Sequence, residues 1–112
     1  MQKKDLSKIK WGEIYTCDLG STKGSVQCGV RPVLVVQTNK LNSNSPTVVV
    51  AVITSAHKRE DISSHIFLET NCGLREPSMV MLEQMRTIDK AEELISYIGK
   101  VEDNEIIAKI KD

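Results

Sequence analysis

The chain has 112 residues, and fifteen basic residues balance fifteen acidic ones, so its formal net charge at pH 7 is zero. That balance argues against sequence-blind binding to duplex nucleic acid, which needs a strongly basic face, but it leaves room for a small RNA site with a few focused cations. Three cysteines without a close pair suit a reducing compartment and give no metal spacing. No signal peptide or membrane-spanning apolar run is recognised, so we expect one cytoplasmic domain over residues 1–112 that does not contact a membrane.

The first strand is predicted over residues 13–19, after a charged and polar leader over residues 1–10. Tyr15, Cys17 and Leu19 fall on one face of this strand, as expected when that face belongs to the core. Cys17 is therefore predicted to be a core residue, because no adjoining positive group activates its thiol.

A loop rich in glycine over residues 20–29 leads into Val30–Gln37, an apolar run typical of a strand covered on both faces. Arg31 interrupts this run between Gly29 and Pro32, and the proline favours an extended backbone at the arginine. A guanidinium at a core boundary is costly unless it has anionic or polar partners. Two interpretations stay open here: the side chain reaches the surface and pairs with a local carboxylate, or it is held rigidly to meet a phosphate.

A polar loop over residues 39–46 precedes a second buried strand, which ends in the hydroxyls of Thr54 and Ser55. A threonine at the end of a strand often does no more than cap a turn. A further strand is predicted over residues 65–69 and is closed by a turn at residues 71–73.

The segment from Met79 to Thr87 is predicted to be a strand that begins apolar and becomes polar. On strand spacing Val80, Leu82, Gln84 and Arg86 share one face. Such a face passes from core to hydrogen-bonding groups, as it would where a sheet reaches a binding site. A purely structural interpretation, with the amide bonded to the backbone and the guanidinium paired with a carboxylate, stays open.

Two helices are predicted in the C-terminal part of the chain. The first begins at Asp89, has Glu92 as its capping-box partner and ends near Gly99. The second, over residues 103–111 of a short C-terminal segment (102–112), carries a narrow apolar stripe. The stripe consists of Ile106, Ile107 and Ile110. Several short strands with few helices predict a mainly β (α+β) fold built on a small, strongly curved sheet.

In their order and spacing, four segments resemble the MazF/PemK family of toxin endoribonucleases. They are Trp11-Gly12-Glu13-Ile14-Tyr15, Gly29 to Gln37, Ile53-Thr54-Ser55 and Leu82 to Lys90. The resemblance implies an SH3-like small β-barrel of the MazF/Kid/CcdB type with short peripheral helices.

The resemblance also implies a function. The chain would be a metal-independent, sequence-selective endoribonuclease that cleaves single-stranded mRNA by 2′-OH attack, leaving a 2′,3′-cyclic phosphate or 3′-phosphate and a 5′-OH. It would act without a cofactor as the toxin of a type II toxin–antitoxin pair. Its expected partners are RNA, a MazE-like antitoxin with an acidic tail, a second copy in a homodimer, and DNA only through the antitoxin complex.

By the same resemblance we expect Arg31 to clamp phosphate oxygens and Thr54 to donate to a phosphate oxygen or to orient the 2′-OH. Contacts to RNA are expected from Lys23, Ser55, Gln84 and Arg86. His57 and His65 match no part of the family motif and are left out of the catalytic set. No cluster of Asp, Glu and His has the spacing of a metal site.

Two features depart from the family pattern. Glu92 and Glu93 stand where relatives carry a basic residue, which removes positive charge near the expected RNA surface, and the helix after Asp103 is short for a dimer contact. Two other functions therefore stay open: a gyrase-binding toxin like CcdB, and a MazF-like homologue with weakened activity. The Arg31 and Thr54 matches speak against the first, because a gyrase poison needs no phosphate-stabilising pair.

Overall fold

The computed structural model describes residues 9–20, 29–42, 45–54, 65–68, 73–75 and 77–111. The strands in these residues are β1 (Glu13–Asp18), β2 (Val30–Val35), β3 (Thr47–Thr54), β4 (His65–Leu68), β5 (Ser78–Asp89) and β6 (Leu94–Lys100). The helices are α1 (Asn39–Asn42), α2 (Lys90–Glu93) and α3 (Asn104–Lys111). None of the described helices has the length and apolar character needed to cross a membrane.

The six strands form one sheet in the order β4-β5-β3-β2-β1-β6, and every neighbouring pair is antiparallel. Within the described ranges no ladder joins the two edge strands, β4 and β6, so the sheet is open there. The prediction of a mainly β fold with short peripheral helices is confirmed.

Both faces of the sheet bury apolar side chains. We call the side that bears Val33, Val50 and Val52 the first face, and the side that bears Leu34 and Ala51 the second face. Burial on both faces explains why the sequences of β2 and β3 are almost continuously apolar. The predicted stripe of α3 packs on the second face through Ile106, Ile107 and Ile110.

The start of β1 is held by a buried polar pair. The Tyr15 hydroxyl donates to Oε1 of Glu13 at 2.9 Å, and the Lys10 N–H donates to the same oxygen at 2.7 Å. Burial and the neighbouring carboxylate raise the pKa of Tyr15, so its hydroxyl stays a donor. Its ring meets that of Tyr97 edge to face, with centroids 5.6 Å apart, which ties β1 to β6. Ile9, assigned to the polar leader, is itself buried in the core.

A break in register divides β5. Ala51 of β3 pairs with Met85, whereas the next residue, Val52, pairs with Met81, so residues 82–84 bulge out of the ladder. A bulge of this kind can move every following side chain to the other face of the sheet.

The predicted common face of β5 is therefore wrong. Val80 and Leu82 pack on the second face, whereas Arg86 lies opposite Val50 and so on the first face. Gln84 lies in the unpaired bulge, and its amide Nε2 donates to the sulfur of Met81, a first-face residue, at 3.9 Å. The pattern of alternation in the sequence could not reveal this inserted step.

The helix predicted from Asp89 is also wrong beyond its first turn. Asp89 does turn the chain, because its Oδ1 accepts the N–H of Ala91 at 2.9 Å. However, α2 ends at Glu93, and residues 94–100 form β6, which pairs along β1 with Gly99 inside the strand. The Asp89 N–H donates to Oε1 of Glu93 at 3.3 Å, and the side chain of Glu92, the predicted capping-box partner, lies outside what the structure describes.

Two other secondary-structure predictions have different outcomes. The loop predicted over residues 39–46 contains the single turn of α1. The C-terminal helix is confirmed as α3, and Asp103 caps it by accepting the N–H groups of Glu105 at 2.9 Å and Ile106 at 3.3 Å.

Candidate RNA site

Arg31 lies at the start of β2, between β1 and β3. It is directly opposite Cys17 of β1. On its other side the ladder with β3 ends at the pair Val33 and Val52, two residues from Arg31 and Thr54 respectively. Opposed residues of an antiparallel ladder have Cα atoms about 5 Å apart. The start of β2 and the end of β3, which carry the two predicted catalytic residues, are thus neighbours in the sheet, although 23 positions separate Arg31 and Thr54 in sequence.

An open cleft of about 560 Å³ adjoins this end of the sheet. Two guanidinium-bearing residues, Arg31 and Arg75, line it, together with the hydroxyl-bearing residues Thr16, Ser78 and Ser96. No acidic residue lines the cleft in the described part of the chain. A cleft with two cations and several hydroxyls suits an anion that offers many acceptor oxygens, such as a phosphodiester.

Two segments with the same pattern of glycine, apolar residue and arginine contribute to this cleft. Gly29-Val30-Arg31 and Gly73-Leu74-Arg75 both begin with a glycine in the left-handed region, at φ values of +79° and +99°. Glycine adopts this conformation without the steric cost that a Cβ brings. Arg75 was not among the residues predicted for the site, and the repeated pattern is the signal in the sequence that could have identified it.

The second of these segments packs directly on β6. A Cβ built on Gly73 would lie 2.5 Å from the carbonyl oxygen of Ile98 and 3.1 Å from the Cα of Gly99. Leu74 is buried in the second-face cluster. The backbone that carries Arg75 is therefore fixed from two sides at the wall of the cleft.

Thr54 is buried, with 3 % of its surface exposed, and it does not line the cleft. Strand alternation puts its side chain on the first face, whereas its neighbour Ile53 lines the cleft from the second face. Arg31 lies on the same face as Thr54 but at the partly exposed start of β2, and it lines the cleft.

Arg86 lies away from this cleft, in a smaller one of about 300 Å³ that Asp18 and Glu93 also line. Arg86 pairs with Val50 of β3, which is four residues, or about 13 Å along the strand, from Thr54 at the Arg31 end of the sheet. The predicted RNA-binding pair of Gln84 and Arg86 is thus not brought into the Arg31 cleft.

Cys17 has no nucleophilic character. Its side chain is fully buried, and burial, reinforced by the Glu93 carboxylate and partly offset by Arg86, raises its pKa to about 12. A thiol with such a pKa stays protonated near neutral pH, so the prediction of a core role is confirmed.

The remaining predicted residues lie elsewhere. Lys23 and Ser55 fall outside the described residues, as does His57. His65 lies on β4, where its Nε2 is 2.6 Å from Oε2 of Glu83 on β5, and neither residue lines the Arg31 cleft. Within the described ranges, no three His, Cys, Asp or Glu side chains are grouped as metal ligands.

The family of PemK-like, MazF-like toxins of type II toxin–antitoxin systems matches residues 10–111 of the chain. The chain belongs to this family. It is 37% identical over 94 residues to the endoribonuclease MazF of Staphylococcus saprophyticus, a similarity that covers 81% of this chain and 78% of the relative. The family predicted from the four sequence segments is confirmed.

Solved structures of MazF-family proteins have the same fold. An endoribonuclease from a mycobacterial species, in complex with its cognate antitoxin, aligns with a TM-score of 0.74 at 27% identity, over 92% of this chain and 87% of its own. The Mycobacterium tuberculosis toxin MazF-mt6 aligns with a TM-score of 0.72 over 88% of both chains. At 22% identity this second similarity is evidence of a shared fold alone. The MazF-type architecture predicted for the sheet is thereby confirmed.

Proposed function

We propose that this MazF-family chain is the toxin of a type II toxin–antitoxin pair and cleaves single-stranded mRNA at selected sequences. The endoribonuclease activity is supported by the family match and by the S. saprophyticus relative, which is itself named an endoribonuclease. The observation that carries the proposal for the site is the cleft lined by Arg31 and Arg75, which carries no acidic residue in the described ranges.

The proposed chemistry is attack by the 2′-OH on the neighbouring phosphate. The 2′-OH gives up its proton to solvent as the 2′-O–P bond forms and the P–O5′ bond breaks, which leaves a 2′,3′-cyclic phosphate. The departing oxygen takes a proton from solvent to become a 5′-OH, so the two proton transfers balance. Because the nucleophile is already next to its target, holding the backbone in line supplies much of the rate.

Arg31 stabilises the transition state in this proposal. Negative charge builds up on the phosphoryl oxygens as the 2′ oxygen approaches, and a planar guanidinium can donate to two of them at once. Thr54, the last residue of the neighbouring strand β3, has its proposed role from the family resemblance: it donates its hydroxyl to a phosphate oxygen or orients the 2′-OH.

The reaction is proposed to need no metal and no cofactor. An intramolecular nucleophile does not have to be generated by a metal ion, and the two arginines of the cleft supply the positive charge that the transition state requires.

The proposed partners follow the family. The mycobacterial relative at 27% identity is described in complex with its cognate antitoxin, which supports a MazE-like antitoxin for this chain. We further propose a homodimer, action on mRNA in the cytoplasm and contact with DNA only through the antitoxin complex. Contacts of RNA with Lys23, Ser55, Gln84 and Arg86 remain part of the proposal.

The test is incubation of the purified protein with mixed-sequence RNA in excess EDTA, followed by mapping of cleavage sites and end groups. We expect cuts at a restricted set of sequences, with cyclic phosphate and 5′-OH ends, and no cut where the attacking nucleotide is 2′-deoxy. A Lys109→Ala control on the exposed side of α3 should cleave as the wild type does. Cleavage of the deoxy substrate, or activity that EDTA abolishes, would overturn the proposed chemistry. Inhibition of gyrase supercoiling without RNA cleavage would point to the CcdB-like alternative.

A further inference from the structure

We propose that Arg75 binds a backbone phosphate of the RNA next to the scissile one, and that the packing of Gly73 on β6 positions it there. This inference rests on the proposed function, because it assigns the second cation of the same cleft.

The charge distribution of the cleft is the first argument. Arg31 and Arg75 reach the cleft from different parts of the chain, and no acidic residue lines it in the described ranges. Two arginines at one cleft make its surroundings positive, and no acidic side chain of the described ranges lines it to offset them, so the cleft favours an anion. RNA carries a phosphate at every nucleotide, so one strand in the cleft can present the scissile phosphate to Arg31 and a neighbouring phosphate to Arg75.

The backbone of Arg75 is held in place. The close contact of Gly73 with the carbonyl of Ile98 leaves no room for a side chain, and the buried Leu74 anchors the segment in the core. Ser78, at the start of β5, is buried with 5% of its surface exposed and lines the same cleft. An arginine carried by such a segment loses less entropy when it binds a phosphate than one on a free loop.

The side chain itself is available for this role. Arg75 is exposed, and no hydrogen bond or ion pair joins its guanidinium to another residue of the described ranges. A contact to a phosphate would therefore not have to displace a partner seen in those ranges. Such a contact orients and binds the strand but carries no base specificity.

The first experiment measures binding of a short RNA made non-cleavable by a 2′-deoxy substitution at the attacking nucleotide. Affinities of the wild type, Arg75→Gln and Lys109→Gln are compared over a range of salt concentrations. Loss of one phosphate contact should raise the Kd about three- to tenfold at low salt and reduce the slope of log K against log salt by about 0.7. The matched control removes the same charge from α3 and should keep the wild-type slope. An Arg75→Gln slope equal to that of the control would overturn the inference.

The second experiment locates the phosphate. Each linkage beside the scissile one is replaced in turn by a neutral methylphosphonate, and binding is measured with the wild type and with Arg75→Gln. One of these replacements should weaken binding to the wild type and have no further effect on the variant, as expected for two groups that contact each other. Equal losses in both proteins at every linkage would contradict the assignment.

The two proposals fail in different ways. If the wild type cleaves RNA but Arg75→Gln behaves like Lys109→Gln, the inference is wrong and the proposed function stands. If the wild type binds but cuts no RNA, the proposed function is wrong, whatever the binding data for Arg75 show. A further readout separates binding from chemistry, because Arg75→Gln should lose more in Kd than in the single-turnover rate at saturating protein, and Arg31→Ala the reverse.

Discussion

Replacing Gly73 with alanine should destabilise the fold and weaken RNA binding at the same time. At φ +99° an alanine is strained, which costs about 1 kcal/mol or more. Its Cβ would also lie 2.5 Å from the carbonyl oxygen of Ile98, roughly 1 Å inside ordinary contact, and overpacking of this kind costs about 1–3 kcal/mol. We therefore expect a total loss of about 2–4 kcal/mol, or a Tm lower by roughly 8–17 °C.

Gly29→Ala is the matched control for this prediction. Its φ is +79°, but no atom lies within 4 Å of the position where its Cβ would be. Only the conformational strain applies there, so we expect a loss of about 1 kcal/mol. The difference between the two variants measures the steric contact between the Gly73 segment and β6.

The free energies of unfolding of Gly73→Ala and Gly29→Ala are measured by urea titration, with circular dichroism and the fluorescence of the single tryptophan, Trp11, as probes. The folded Gly73→Ala protein should also bind the non-cleavable RNA more weakly, since relief of the clash has to move the backbone of Arg75. Equal destabilisation by Gly73→Ala and Gly29→Ala, or unchanged RNA binding by Gly73→Ala, would refute the reasoning.

Three further predictions concern the interior of the sheet. Thr54→Val keeps the shape of the side chain but removes its hydroxyl, so the single-turnover cleavage rate should fall about a hundredfold. Thr54→Ser keeps the hydroxyl and should keep most of the rate. Equal rates for Thr54→Val and the wild type would make Thr54 purely structural. Tyr15→Phe removes the donor of the 2.9 Å hydrogen bond to buried Glu13 and should cost about 1–3 kcal/mol in urea unfolding, and an unchanged free energy would count against this pair. The pKa of Cys17 is raised from 9.0 to about 12, so the folded state keeps this proton longer than the unfolded one. Its contribution to stability is therefore fully present below pH 9 and is lost as the pH rises from 9 towards 12. Between pH 8.5 and 10 the wild type should lose stability more steeply than Cys17→Ala, and parallel curves would contradict the assigned burial.

The features that could be predicted from the sequence are those set by local composition. Apolar runs covered on both faces identified β2 and β3, because burial on both sides leaves almost no polar positions in such strands. Alternation along β1 correctly placed Tyr15 and Cys17 in the core. Asp103 and the isoleucine stripe predicted α3, since a cap and a helical period are both local signals.

The errors arise where pairing with a distant strand decides the structure. The register break between Met81 and Met85 depends on how β3 packs against β5, so alternation alone placed Arg86 on the wrong face. Asp89 does cap a helical turn, but the residues after Glu93 pair with β1 and therefore form a strand instead of continuing the helix.

The candidate site was predicted in part for the same reason. Arg31 could be identified from the sequence alone, because a cation between glycine and proline at the start of an apolar strand is conspicuous. Arg75 lacks such a setting in the sequence, and it reaches the cleft only because Gly73 packs on residues of β6 that lie some twenty-five positions later.

The central claim is that the Arg31 guanidinium stabilises the transition state of RNA cleavage, and the single-turnover rate of Arg31→Ala tests it most directly. The rate is measured in EDTA, with protein in excess over an RNA of a mapped cleavage sequence and at concentrations that saturate binding. Loss of a donor that acts mainly on the transition state should lower this rate by about 10²–10³, while circular dichroism and Tm stay close to those of the wild type. A rate within threefold of the wild type in the folded, saturated variant would contradict the account.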